Sequence, residues 1–194
     1  METAAAARSR AGHIPGEPGV WILILGDLLL FSVFFAVFLV YRAKNIAVFS
    51  ASQATMERAY GVANTALLLT SSLFVAQAVL AARTRVTHRA ARLLRFALGC
   101  GCLFVVSKVF EWGGKIGKGI TLNTNQFYSF YYMFTGIHLV HVLLGIGVLI
   151  YLLKRSSRAD PGPSYDAVME GGGAFWHLVD LLWVVLFALL YLLR

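Results

Sequence analysis

The chain has 194 residues, of which 59% are hydrophobic and 13% charged, with a formal net charge of +8. So small a charged share, roughly half the usual, excludes an ordinary water-soluble domain. The basic residues are spread over several loops, which argues against a nucleic-acid-binding face.

The apolar residues fall into five blocks, at 20–41, 62–82, 93–112, 127–153 and 174–193. Each reaches the length of about 20 residues that a helix needs to cross the hydrocarbon. Barrel strands would alternate polar and apolar residues, so helices are the expected spanning form. The predicted fold is all-α: an integral membrane bundle of five transmembrane helices over 20–194, without a soluble domain.

Residues 1–19 read as a mobile tail, too polar for a signal peptide, ending in Pro15-Gly16-Glu17-Pro18-Gly19 before the first helix. The first apolar block is expected to be an uncleaved anchor, and the first loop, 42–61, has the composition of a short surface helix. The second loop is short and basic, which makes helices two and three antiparallel neighbours. The third, Gly113 to Gln126, is rich in Gly, Lys and Asn. The fourth, Lys154 to Gly173, contains a Gly171-Gly172-Gly173 run that reads as a hinge.

Of the 17 Lys and Arg, ten lie in the tail (Arg8, Arg10), the second loop (Arg83, Arg85, Arg89, Arg92, Arg95) and the fourth (Lys154, Arg155, Arg158). Six lie on the other side, and Lys108 falls inside the third helix. This excess places the N-terminus in the cytoplasm and the C-terminus outside, with the basic loops meeting anionic lipid.

Polar groups within the helices are the candidates for chemistry. Asp27 and Asp180 sit at similar depth in helices that enter from the same side, and His177 lies between them. The expected arrangement has Asp27 facing His177 and Asp180, or His141, rather than lipid. Either hydrogen-bonded packing or proton movement accounts for such a layer. Asn64 and its Thr and Ser neighbours in helix two suit close helix packing. Lys108 and Glu111 are three apart and pair as an anchor near the outer boundary. His138 and His141 share a face of helix four, which leaves haem, metal or interhelical hydrogen bonds open. Bis-histidine haem needs facing helices and a metal a third ligand, so neither is expected. Cys100 and Cys102 are two apart, pointing about 200° from one another on a helix, and read as packing thiols rather than a disulfide.

Taken together, these landmarks resemble subunit III of the haem-copper oxidases. The likeness runs through Gly26-Asp27-Leu28-Leu29-Leu30-Phe31-Ser32-Val33-Phe34-Phe35-Ala36, Asn64-Thr65, Glu111 and His138-Leu139-Val140-His141-Val142-Leu143-Leu144-Gly145. It ends with Glu170 and Phe175-Trp176-His177-Leu178-Val179-Asp180-Leu181-Leu182-Trp183. The Pro15-Gly16-Glu17-Pro18-Gly19-Val20-Trp21 and Leu67-Leu68-Leu69-Thr70-Ser71-Ser72 stretches look most like the branch associated with nitric oxide reductase operons.

The resemblance implies a five-helix bacterial form in the inner membrane, an accessory subunit without a catalytic centre, cofactor or metal of its own. Haem and copper or iron would belong to a large catalytic partner subunit. The chain would stabilise that partner, bind phospholipids and support proton uptake, in reduction of oxygen or of nitric oxide. Asp27 matches the family's carbodiimide-reactive acid, where many members have Glu, and Asn64 stands where some quinol oxidases have an acid. The rival from another class is a small proton-coupled transporter using Asp27, Asp180 and the histidines; the inverted repeats typical of transporters are not evident.

Overall fold

A computed structural model describes residues 18–158, 162 and 164–193; the tail before Pro18 lies outside them. Among the described residues there are six α-helices and no strand. They are α1 (Pro18–Lys44), α2 (Ile46–Ala54), α3 (Arg58–Arg83), α4 (Thr87–Gly117), α5 (Gln126–Ser156) and α6 (Tyr165–Phe187), the last continuing as a π turn over Ala188–Leu192. All but α2 are long and apolar enough to cross a membrane. At 31 residues each, α4 and α5 run about 46 Å, well beyond the hydrocarbon, so their ends stand in the interface.

The helices outreach their apolar blocks, and at α5 a side chain caps the extended end. Asn125 opens α5 by accepting a hydrogen bond from the Tyr128 backbone N–H at 3.0 Å. Its amide donates to Ser52 Oγ at 2.9 Å, which fastens the short α2 onto the bundle. Between α3 and α4 the chain reverses in three residues, with Arg85 at φ 59° and the Val86 N–H returning to the Ala81 carbonyl at 2.9 Å. Buried Ala81, Ala82, Ala90 and Ala91 let the two helices approach closely there.

The glycine run at 171–173 is not a hinge. It lies inside α6, which starts nine residues earlier than the start of its apolar block suggests. A Cβ on Gly172 would come within 2.8 Å of Leu152 Cδ1, and one on Gly173 within 2.9 Å of Val79 Cγ2. The run therefore supplies the flat surface by which α6 seats between α3 and α5. Gly173→Ala is expected to cost about 1–3 kcal/mol of thermal stability through overpacking, whereas Gly147→Ala, with open space at its Cβ, should leave the melting profile unchanged.

The core is aromatic. Trp176 is fully buried and lies against two glycines: Cβ atoms on Gly101 and Gly145 would fall 3.0 and 2.7 Å from its ring. Helix α1 is the most loosely attached of the five long helices. Its Phe31, Phe34, Phe35 and Phe38 form one face, and rings of this face meet Phe130 and Phe134 of α5 at centroid distances of 5.6–6.3 Å. Since burial from lipid offers little hydrophobic gain, it is this ring packing, with Ile24 and Phe31 against Leu178 and Leu182 of α6, that holds α1 in place.

Candidate functional site

The intramembrane polar residues resolve into three groups. The first joins α1 to α5. Asp27 Oδ2 lies 3.3 Å from His141 Nε2, the two side chains being 20% and 14% exposed. The other ring nitrogen, Nδ1, is 2.9 Å from the Ile137 carbonyl. A carbonyl only accepts, so Nδ1 carries a hydrogen and Nε2 is the ring nitrogen that faces the carboxyl. Phe31 edges against the imidazole at 5.5 Å and fixes its plane. Of the two arrangements expected for Asp27, the chain adopts the one with His141.

His177 takes no part in that pair, so it does not bridge Asp27 to Asp180. It forms the second group on α6 and α3, where Nδ1 is 2.6 Å from Ser72 Oγ and 3.9 Å from Asp180 Oδ2. Asp180 is buried, and among the described residues neither carboxylate oxygen takes a hydrogen bond.

The third group is deeper and larger than an interfacial anchor. Lys108 is 1% exposed, and its Nζ donates to Glu111 Oε2 at 2.8 Å and to Tyr191 Oη at 3.0 Å. The other oxygen, Glu111 Oε1, accepts from Tyr131 at 2.7 Å and Tyr191 at 2.6 Å. The ammonium also lies 4.9 Å from the Trp183 ring centroid. A lysine and a glutamate thus sit in the bundle interior as a neutral pair, with four aromatic or hydroxyl contacts absorbing the remaining valence. The i, i+3 spacing revealed the pair. Tyr131 and Tyr191, 20 and 80 residues from Glu111 in sequence, carried no local signal.

The two central histidines do not share a site. Three residues turn a helix by about 300°, enough to send His141 toward α1 and His138 into the core. His138 is fully buried between Phe104 and Trp183, at 5.7 and 5.3 Å, and neither ring nitrogen is hydrogen-bonded among the described residues. Asn64 is likewise buried with both amide atoms unpaired, while the neighbouring Thr65 accepts from Trp183 Nε1 at 3.0 Å. Glu170 stands apart from all three groups and ties the α3–α4 turn to α6 through Arg83 Nε at 2.9 Å. Cys102 is exposed rather than packed, and Cys100 is half-buried.

Comparison with known proteins places the chain in a family. Residues 14–194 match the family described as Cytochrome c oxidase subunit III. A probable cytochrome c oxidase subunit 3 of Nocardia farcinica is 28% identical over 178 residues, covering 91% of this chain and 87% of that protein. Cytochrome c oxidase subunit 3 of Thermostichus vulcanus is 28% identical over 179 residues, covering 90% and 86%. A cytochrome bo(3) ubiquinol oxidase subunit 3 of Buchnera aphidicola is 25% identical over 174 residues, covering 90% and 84%. With five membrane-length helices and nearly its whole length matched, the chain belongs to the cytochrome c oxidase subunit III family, as a multi-pass membrane subunit of a haem-copper oxidase that works beside a catalytic subunit.

Proposed function

We propose that the chain is a non-catalytic component that stabilises its catalytic partner, holds phospholipid and supports proton uptake. The observation that carries this reading is the Asp27–His141 contact at 3.3 Å. His141 stands at the midpoint of α5, fifteen residues from either end. Both side chains keep partial exposure, so a proton exchanged between them would not be sealed into the core. An acid and a histidine maintained at this depth fit a proton-handling role better than packing alone.

Haem and copper or iron are assigned to the catalytic partner. Lipid binding is supported by a groove of about 540 Å³ between α1, α5 and α6, lined by Val20, Leu23, Leu144, Tyr151, Val168 and Phe175. Its apolar walls suit acyl chains. The basic turn at Arg83 and Arg85 would face the cytoplasm of a bacterial inner membrane. A second reading, an accessory subunit of a nitric oxide reductase, rests on the Leu67-Leu68-Leu69-Thr70-Ser71-Ser72 motif of α3. The family match favours both over a small transporter.

In the assembled complex, Asp27→Asn is expected to leave the haem spectrum and subunit content unchanged. Proton-linked turnover should fall by about two- to tenfold, the size of effect carried to a neighbouring site through packing, and Asp27→Glu should restore most of it. Full turnover in the Asn variant would remove the proton role.

A further inference from the structure

At the end of the bundle where α4 stops, a cavity of about 290 Å³ lies between the α2–α3 connection and the last turns of α4. Its polar lining comes from Thr55, Glu57, Tyr60, Glu111, Lys115 and Lys118. The charges in and behind it do not balance. Glu111 is committed to Lys108, Tyr131 and Tyr191. Glu57 faces Lys118 at 3.5 Å. Lys115 is left over.

This third lysine is 7% exposed, and among the described residues it makes no hydrogen bond and no ion pair. Its Nζ rests 5.4 Å from the centroid of the Tyr131 ring, a contact worth much less than a counter-ion. The side chain is walled in while its Nζ opens onto the cavity, and the carboxylates that act on it, Glu111 and Glu57, stand beyond ion-pair distance, so this cation gains from an anion that joins it. A second feature points the same way. Helix α3, 26 residues long, begins at this cavity, and its N-cap residue Glu57 makes no side-chain capping bond. The Tyr60 N–H is taken by the Glu57 carbonyl at 3.2 Å, which leaves the Arg58 and Ala59 N–H groups at the positive end of that helix open to an acceptor.

We propose that this cavity binds a phosphate-type oxyanion, held between the Lys115 ammonium and the N-terminal turn of α3. A tetrahedral phosphate offers several acceptor oxygens at once, which suits one point charge combined with backbone donors. The headgroup phosphodiester of a phospholipid and free inorganic phosphate share this chemistry. Phe110, 69% exposed, lines the cavity on α4 and gives acyl chains a surface to follow.

The test uses the oxidase complex purified from its own membrane, carrying this chain as wild type, Lys115→Arg, Lys115→Met or Gly114→Leu. Gly114 lines the cavity, and its Cβ position meets nothing within 4 Å, so leucine there fills the space while leaving Lys115 in place. Retained phospholipid is counted by phosphorus NMR of the extracted complex. Inorganic phosphate is then titrated into the delipidated complex while thermal unfolding is followed. If the oxyanion is a headgroup, wild type and Lys115→Arg retain one more phospholipid per complex than Lys115→Met and Gly114→Leu. If it is free phosphate, retained lipid is equal, and phosphate raises the melting temperature of the first two at concentrations at least about tenfold lower than for the others, as expected for loss of one charged hydrogen bond. Equal lipid and equal phosphate response across all four complexes overturns the proposal. So does a structure of the complex in which a partner carboxylate occupies the cavity and pairs with Lys115. Should Lys115→Met fail to assemble, Gly114→Leu carries the comparison alone.

Discussion

Lys108→Met is expected to destabilise the chain by about 3–5 kcal/mol, because it strands a buried carboxylate without its cation. Glu111 would keep Tyr131 and Tyr191 as donors, but two neutral hydroxyls do not replace an ammonium at 2.8 Å. The double variant Lys108→Met/Glu111→Gln removes both charges while leaving a hydrogen-bonding side chain for the tyrosines. It should recover most of the loss, since replacing an entire buried ion pair is often close to neutral. Thermal unfolding in detergent of four proteins, the wild type, Lys108→Met, Glu111→Gln and the double variant, arranged as a double-mutant cycle, provides the measurement. An additive cycle, with the double variant as unstable as the sum of the singles, would show that the pair is not coupled.

Trp176→Ala should cost about 3–5 kcal/mol, the range for deleting a fully buried tryptophan. The indole lies between Gly101 of α4 and Gly145 of α5, so its removal opens a void where three helices meet. In a membrane the loss is one of packing rather than of hydrophobic transfer, because lipid is as apolar as the core. Restoring volume from the other side, with Gly145→Leu in the alanine background, should recover part of the stability. In the wild-type background the same Gly145→Leu should be strongly destabilising, because a Cβ there falls 2.7 Å from the ring. This reversal of sign distinguishes a packing wedge from a residue that merely sits in the core. Phe110→Ala, at a side chain 69% exposed, is the control and should barely move the isolated chain's melting temperature.

The number and type of the long helices were legible because spanning length is a local property of composition. Five apolar blocks predicted five crossings, and five membrane-length helices are found. Their ends were less legible. The last helix starts at Tyr165 rather than near Ala174, since Gly171-Gly172-Gly173 reads as a breaker in isolation yet is a packing surface once Leu152 and Val79 lie opposite. Gly113, Gly114 and Gly117 also read as loop, yet they continue α4.

At the candidate site, residue types alone identified which positions mattered: an acid, a lysine–glutamate pair and histidines inside hydrocarbon are too costly to be incidental. Spacing within one helix also exposed the Lys108–Glu111 pair and the His177–Asp180 neighbours. Choice of partner across helices belonged to the tertiary structure alone. Whether Asp27 meets His141 or His177 depends on how α1 is rotated and where it docks, and its aromatic face settles that against Phe130 and Phe134 of α5. The tyrosines that complete the Glu111 network, and the lysine left unmatched beside it, come together only when α4, α5 and the end of α6 close around one interior. Sequence encodes what a helix carries and how long it is; the azimuth at which it packs is a collective result of all the side chains between helices, and that azimuth assigns each buried charge its partner.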